Sequence, residues 1–320
     1  MTFVPSQTIG PYEIIGIIDQ PKTGVTYKVR NPATGSFELL RALPGAPGDP
    51  ESVERFLREI KVHTRLCHPN IVAFYDAQQL DGQLVMTAEF VEGPKLSECL
   101  RPGPLPWREA IRQVCDLLSA LEDAHSLGIV HRSITPDHIM VTPDGTVKLG
   151  GFGLAKPIAD MNLTQTGAIL GDPKYISPEQ VSGRPAIDHR ADLYSVGILL
   201  YEMLTGKAPF EGRNDYDIML AQVKAQPAAP STLTPEISPG LDRIVLIALA
   251  KDPSQRFQSA GKFREALQSA AANGPRLVAA AATEPASSVP QAHSKMTVMF
   301  GTLSVVIGLA VIFFLATYKL

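Results

Sequence analysis

The chain has 320 residues, with 29 lysines and arginines against 32 aspartates and glutamates, for a formal charge of −3. A hydrophobic fraction of 45% beside 19% charged residues is enough to bury a sizeable core, which excludes a disordered chain. The slight acidity lacks the electrostatic footprint of a nucleic-acid binder.

Residues 1–11, with Pro5, Gly10 and Pro11 and no apolar run, read as an extension and not as a signal peptide. Alternation over 12–18, 25–30 and 37–43 predicts three short strands. Asp49 and Pro50 then open a helix, as N-cap and first helical residue, with Val53, Phe56, Leu57, Ile60 and His63 on its apolar face. Two more strands, 71–78 and 83–89, flank an Asp81-Gly82 hairpin turn. Five strands and one helix make a small lobe over 12–92.

After Gly93 the pattern turns helical. A helix is predicted over 107–127, with Ile111, Val114, Leu118 and Leu121 on one face and Gly128 as its stop. A short hairpin pairs 139–141 with 147–149 around Asp144-Gly145. The almost uniformly apolar stretch 191–204, ending at Gly206, suits a helix at the centre of a lobe. Further helices are predicted over 241–250 and 257–271. The class is α+β, with a helical large lobe over 93–268. The three cysteines, Cys67, Cys99 and Cys115, lack metal-ligand spacing and read as buried thiols of a reducing compartment.

Residues 269–296, rich in alanine, proline and serine, read as a tether. From Thr297 to Tyr318 there are 22 residues without a charge. As a helix they would span about 33 Å, enough for a hydrocarbon core of about 30 Å. The expectation is a single-pass C-terminal transmembrane helix over 297–318 that holds the preceding residues at the cytoplasmic face of the cell membrane. Gly301, Ser304 and Gly308 space small residues along it as helix dimers do.

In order and spacing, RFLREI with HPNIV behind it, GIVHRSITPDHIMVTPDGTVKLGGFGLAK, YISPEQ, DHRADLYSVGILLYEMLTGKAPF and KDPSQRF resemble the motifs of a protein kinase. Specifically, residues from about 12 to 267 look like the eukaryotic-like Ser/Thr kinases of bacteria. The resemblance implies the two-lobed kinase fold and assigns a role to each chemical position. Phosphoryl transfer needs positioned phosphates, metal ions and an oriented hydroxyl. Where the family carries a glycine-rich loop, IDQPKTGV places Asp19 and Pro21 and keeps Gly24, with Lys22 nearby. Proline has no N–H to offer a phosphate, and an aspartate repels one.

The family's strand lysine falls at Arg41, and Glu59 keeps the carboxylate that pairs with it. These two and Gly24 are the nucleotide contacts the resemblance implies. In the catalytic loop, Ser133 replaces the aspartate that orients the nucleophile, Thr135 replaces a lysine, and His138 replaces a metal-ligating asparagine. Gly151 replaces the aspartate that holds magnesium. No catalytic position is intact and no metal site is expected.

The positions that hold the family's fold together are retained. His131 and Phe152 match its internal apolar spine, and Asp192 matches the aspartate that binds the catalytic-loop backbone. Glu179 and Arg256 match a conserved ion pair. Arg132 is placed to receive a phosphate on Thr164 or Thr166, which sit where relatives are phosphorylated. Asp172 offers a substitute carboxylate, and Ala88 is a small residue behind the presumed nucleotide pocket.

The resemblance therefore implies a catalytically impaired pseudokinase at the membrane. It would be a scaffold or allosteric regulator whose partners are an active kinase, a phosphatase or a substrate, with a homodimer through the lobe or the membrane helix as a further arrangement. The alternative is an ATP-binding Ser/Thr kinase of weak or unorthodox activity. No cofactor is required on the first reading; ATP without magnesium is the one the resemblance leaves open.

Overall fold

The computed structural model describes residues 7–20, 24–43, 50–152, 156–157, 172–184 and 187–273. The expected anchor over 297–318, the tether beyond 273, the Asp49 cap and the loop threonines Thr164 and Thr166 lie outside them. Among the described residues no helix is long and apolar enough to cross a membrane.

Period-two alternation builds the small lobe. Strands β1 (Thr8–Ile9), β2 (Tyr12–Asp19), β3 (Val25–Arg30), β4 (Phe37–Ala42), β5 (Phe74–Leu80) and β6 (Gln83–Glu89) form one antiparallel sheet in the order β1-β2-β3-β4-β6-β5. The sheet thus has six strands, not five. The expected extension over 1–11 supplies the sixth, because Ile9 is fully buried and Gly10 N–H donates to the Asp81 carboxylate. Asp81 and Gly82 both have positive φ, as a two-residue hairpin turn requires.

In β4, Leu40 and Ala42 enter an apolar cluster with Tyr27, Val29 and Val85, while Leu39 and Arg41 face the other way. On that second face lies α1 (Pro50–His63), with Phe56 packed beside Leu43 and Met86. Leu57 does not join the buried face and is 50% exposed. The inward stripe is centred on Phe56, Glu59 and His63, because Glu59 is drawn toward Arg41. The predicted start of β5 at residue 71 also fails. Ile71 bridges Leu149 of the large lobe, and the Val72 N–H donates to the Leu149 carbonyl, so two apolar residues that look like strand pair elsewhere.

The large lobe is layered around α5 (Arg190–Thr205), buried on almost every face and closed by Gly206 in the left-handed conformation. Helix α3 (Trp107–Ser126) buries Ile111, Val114, Leu118 and Leu121, as its period predicts. Short helices α2 (Leu96–Leu100) and α4 (Pro178–Val181), with α6 (Asp215–Lys224), α7 (Pro239–Ala248) and α8 (Ala260–Asn273), complete it. A Cβ on Gly197 would lie 2.8 Å from the Ala248 Cβ, so α5 and α7 meet there with no room for a side chain.

Short strand β7 (Ile129–Val130) pairs with β10 (Lys156–Pro157), and the expected hairpin is β8 (Ile139–Val141) with β9 (Val147–Leu149). Helix α8 begins three residues later than predicted, where the Ser259 side chain caps it, while Phe257 stacks on Phe263 ahead of it. It also runs to Asn273, so residues 269–273 are helix and not tether. Helix α7 starts at Pro239, behind the Ser238 cap. The cysteines are not core thiols: Cys67 is exposed, and Cys99 and Cys115 are half-buried.

Candidate functional site

Strand register assembles the roof of a cavity of about 730 Å³ under the sheet. Thr26 pairs with Arg41 and Arg41 with Met86; Lys28 pairs with Leu39 and Leu39 with Ala88. All six side chains of these two cross-strand rows line the cavity. Below them, Met140 of β8 and Val72 close an apolar cluster with Leu39, Ala88 and Val91. The alternation of β3 and β4 could have disclosed Lys28 and Leu39; the sequence reading singled out neither.

At the inner end, the Arg41 guanidinium meets the Glu59 carboxylate at 2.5 Å, as expected for this pair. Burial pushes the Glu59 carboxyl above its ordinary range, and Arg41 pulls it back. One turn on, burial holds His63 near a pKa of about 4. Among the described residues neither of its ring nitrogens has a hydrogen-bond partner. His63 stands edge-on to Phe152 at 5.2 Å, and Phe152 stands edge-on to His131 at 4.6 Å, so the expected spine forms and gains a third ring.

The loop after β7 hangs on α5. Asp192, fully buried, accepts from the backbone N–H groups of His131 at 2.9 Å and Arg132 at 2.7 Å, and from His125 Nε2 at 2.8 Å. Burial alone would raise its carboxyl, but these donors hold it below the usual range. They also hold Arg132 at φ +66°, a conformation that needs external support. His131 is neutral, with burial lowering its pKa to about 4. Its Nε2–H donates to the Gly150 carbonyl at 2.9 Å, and its Nδ1 accepts from Ser133 N–H at 3.2 Å.

The catalytic-loop replacements come together around one ring. His138 Nδ1–H donates to the Ser133 carbonyl at 2.7 Å and lies 3.3 Å from the Thr135 hydroxyl. The ring also fills the space beside Gly151, where φ is +77° and an added Cβ would sit 2.5 Å from two of its carbons. His138 and Gly151 line the cavity with Arg41 and Glu59. Gly24 is set apart: it packs over the Ala42 carbonyl, which an added Cβ would approach to 2.8 Å. The Asp172 carboxylate accepts from Lys174 N–H at 2.9 Å and holds its own turn.

Magnesium does not fit these residues. Gly151 offers no ligand, and the imidazole of His138 occupies the adjoining volume. Among the described residues no group of three or more histidine, cysteine, aspartate or glutamate side chains is placed to hold a metal ion.

Behind the site, Ser177 and Gln180 form a capping box at the start of α4, and the Gln180 side-chain amide donates to the Arg132 carbonyl at 3.0 Å. Glu179 of the same turn is buried and receives both terminal nitrogens of Arg256, at 2.7 and 2.8 Å.

Compared with known proteins, residues 12–270 match the family model described as protein kinase domain. A probable serine/threonine-protein kinase of Streptomyces coelicolor is 39% identical over 269 residues, covering 81% of this chain and 40% of that protein. The serine/threonine-protein kinase pkn3 of Myxococcus xanthus is 37% identical, covering 80% of this chain and 49% of that protein. PknB of Mycobacterium leprae, a serine/threonine-protein kinase, is 40% identical, covering 79% and 41%. The chain thus spans less than half the length of these curated relatives.

Proposed function

The chain belongs to the protein kinase family, and from that premise we propose that it is a catalytically impaired member, a pseudokinase working as a signalling scaffold or allosteric regulator. The observation that carries this reading is the His138 imidazole lodged against Gly151, where the family needs a metal ligand at each position. Loss of one electrostatic or acid–base group costs about 3–4 kcal/mol of transition-state stabilisation. Here the nucleophile-orienting carboxylate is replaced by Ser133 as well, and such groups act as a unit.

The retained architecture supports a binding role. The Asp192 contacts, the Glu179–Arg256 pair and the aromatic spine keep the kinase surface in place for a partner. That partner is an active kinase, a phosphatase or a substrate, or a second copy of this chain. The uncharged segment over 297–318 would anchor the lobes to the cell membrane from the cytoplasmic side.

A second reading, an ATP-binding Ser/Thr kinase of weak activity, draws support from the formed Arg41–Glu59 pair and from the names of the relatives. Incubating the full chain with γ-labelled ATP, magnesium and a generic basic protein separates the two. Absence of incorporation supports the scaffold. Incorporation that Arg41→Ala or Asp172→Asn abolishes would establish the kinase.

A further inference from the structure

Beyond the end of α7, on the far side of the large lobe's central helix, an amine sits among aromatic rings. Lys251 is half-buried, with Nζ 2.9 Å from the Tyr194 hydroxyl and 4.0 Å from the centre of the Phe210 ring. Among the described residues no carboxylate pairs with it: Glu179 is taken by Arg256, and Asp252 turns back to accept the Ser254 N–H. We propose that Lys251 is a covalent modification site, a nucleophilic amine that takes a short, uncharged acyl group from an acyl phosphate or acyl thioester.

Hydrogen bonds orient the nucleophile. The Gln222 side-chain amide donates to the carbonyls of Pro173 and Lys174, at 3.2 and 2.7 Å, which turns its oxygen toward Tyr194. The Tyr194 O–H donates to that oxygen at 2.7 Å, leaving only its own oxygen for Lys251, as an acceptor. One N–H of the amine is thereby held, and among the described residues no donor is directed at its lone pair.

The environment also favours the neutral amine. Burial and the Arg256 charge lower the Lys251 pKa to about 7. The ring faces of Phe210 and Tyr194 attract the ammonium, but they return less than the hydration it loses. At pH 7.4 about one ordinary lysine in a thousand is neutral. At Lys251 the neutral form is the larger share.

The surroundings select the adduct as well. All five N–H groups of Arg256 are engaged, by Glu179 and by the carbonyls of Ala250, Arg190 and Lys251, and the Tyr194 O–H is committed to Gln222. An anionic adduct such as a carbamate would therefore find no free donor among these groups. An amide keeps one N–H for the Tyr194 oxygen and sets its apolar end near Phe210. In the transfer, the Nζ lone pair attacks the acyl carbon and an N–C bond forms. The C–O or C–S bond to the donor breaks, phosphate or thiolate leaves with the electron pair, and the amine yields one proton to solvent.

The test incubates the full chain at pH 7.4 with acetyl phosphate and, separately, with acetyl-coenzyme A, and counts acetylation at each lysine by peptide mass spectrometry. Lys251 is expected to react at least about fivefold faster than the exposed Lys207. Labelling by acetyl phosphate alone would support the site and assign it to the smaller donor; labelling by both would extend it to thioesters. The preference is expected to vanish in concentrated urea, and the Lys251 rate to level off above about pH 8. An unmodified Lys251, equal labelling of Lys251 and Lys207, a preference that survives urea, or a rate still climbing steeply at pH 9 would overturn the proposal.

Discussion

Arg256 closes a two-pronged bond on Glu179 across 77 residues of sequence, at 2.7 and 2.8 Å, with its guanidinium also donating to the carbonyls of Arg190, Ala250 and Lys251. Both side chains are almost wholly buried. Removing one partner leaves the other charge without compensation, which costs about 3–5 kcal/mol. Arg256→Ala and Glu179→Ala should each lower the unfolding free energy obtained by chemical denaturation by that amount. Arg256→Lys should recover little, because an ammonium cannot reproduce the fork. A loss below about 1 kcal/mol in Arg256→Ala would contradict this account.

The Arg41–Glu59 pair is more accessible on the arginine side, where 22% of the side chain is exposed, than on the glutamate side. Arg41→Ala should therefore destabilise by stranding Glu59, by about 2–4 kcal/mol. Arg41→Met/Glu59→Leu should recover most of it, since an apolar pair of similar volume often replaces a buried ion pair without loss. Urea melts of the two variants decide whether the pair is structural.

Two buried histidines should make the fold sensitive to mild acid. His63 and His131 are held near pKa 4 by burial, against 6.5 for an ordinary histidine. The unfolded chain takes up protons below pH 6.5 that the folded chain refuses until about pH 4. Their contribution is therefore complete above pH 6.5 and falls away between 6.5 and 4, by about 3 kcal/mol for each. His63 has no hydrogen bonds to lose among the described residues. His63→Leu should accordingly be near neutral at pH 7 and flatten the slope between pH 6.5 and 4 by about half. An unchanged slope in that variant would place the acid sensitivity elsewhere.

Gly151 and His138 should behave as one unit. Gly151→Asp alone drives a Cβ into the imidazole and should cost at least about 2 kcal/mol; with His138→Asn the clash is relieved and about 1 kcal/mol should remain, from a side chain at φ +77°. Thermal melts of the two single variants and the double variant measure the coupling. Additive losses would mean that the ring moves aside freely.

Much of this architecture was legible because apolar periodicity and burial coincide. The three period-two strands of the small lobe, α3 and the wholly apolar α5 fell near their predicted bounds. The polar anchors Asp192, Glu179 and Arg256 followed from the resemblance. What escaped lacked a local signal. Helix α6 buries Ile218 and Gln222 while Tyr216 and Leu220 face solvent, so its period points the wrong way. Ile71 and Val72 resemble strand residues but serve the large lobe. The meeting of His138 with Gly151 joins positions thirteen residues apart in sequence, and only the folded hairpin between them brings ring and glycine together.

The hexapeptide Phe37–Ala42 is written in two interleaved alphabets. Its even letters, Leu40 and Ala42 among them, are sealed inside the lobe; its odd letters, Leu39 and Arg41, face the cavity. Selection can therefore edit one alphabet without misspelling the other. A lineage relieved of catalysis would be free to rewrite the cavity letters without disturbing the interior text, provided that a change at Arg41 is matched by one at Glu59. The coexistence of a whole scaffold with dismantled chemistry is what such a strand permits.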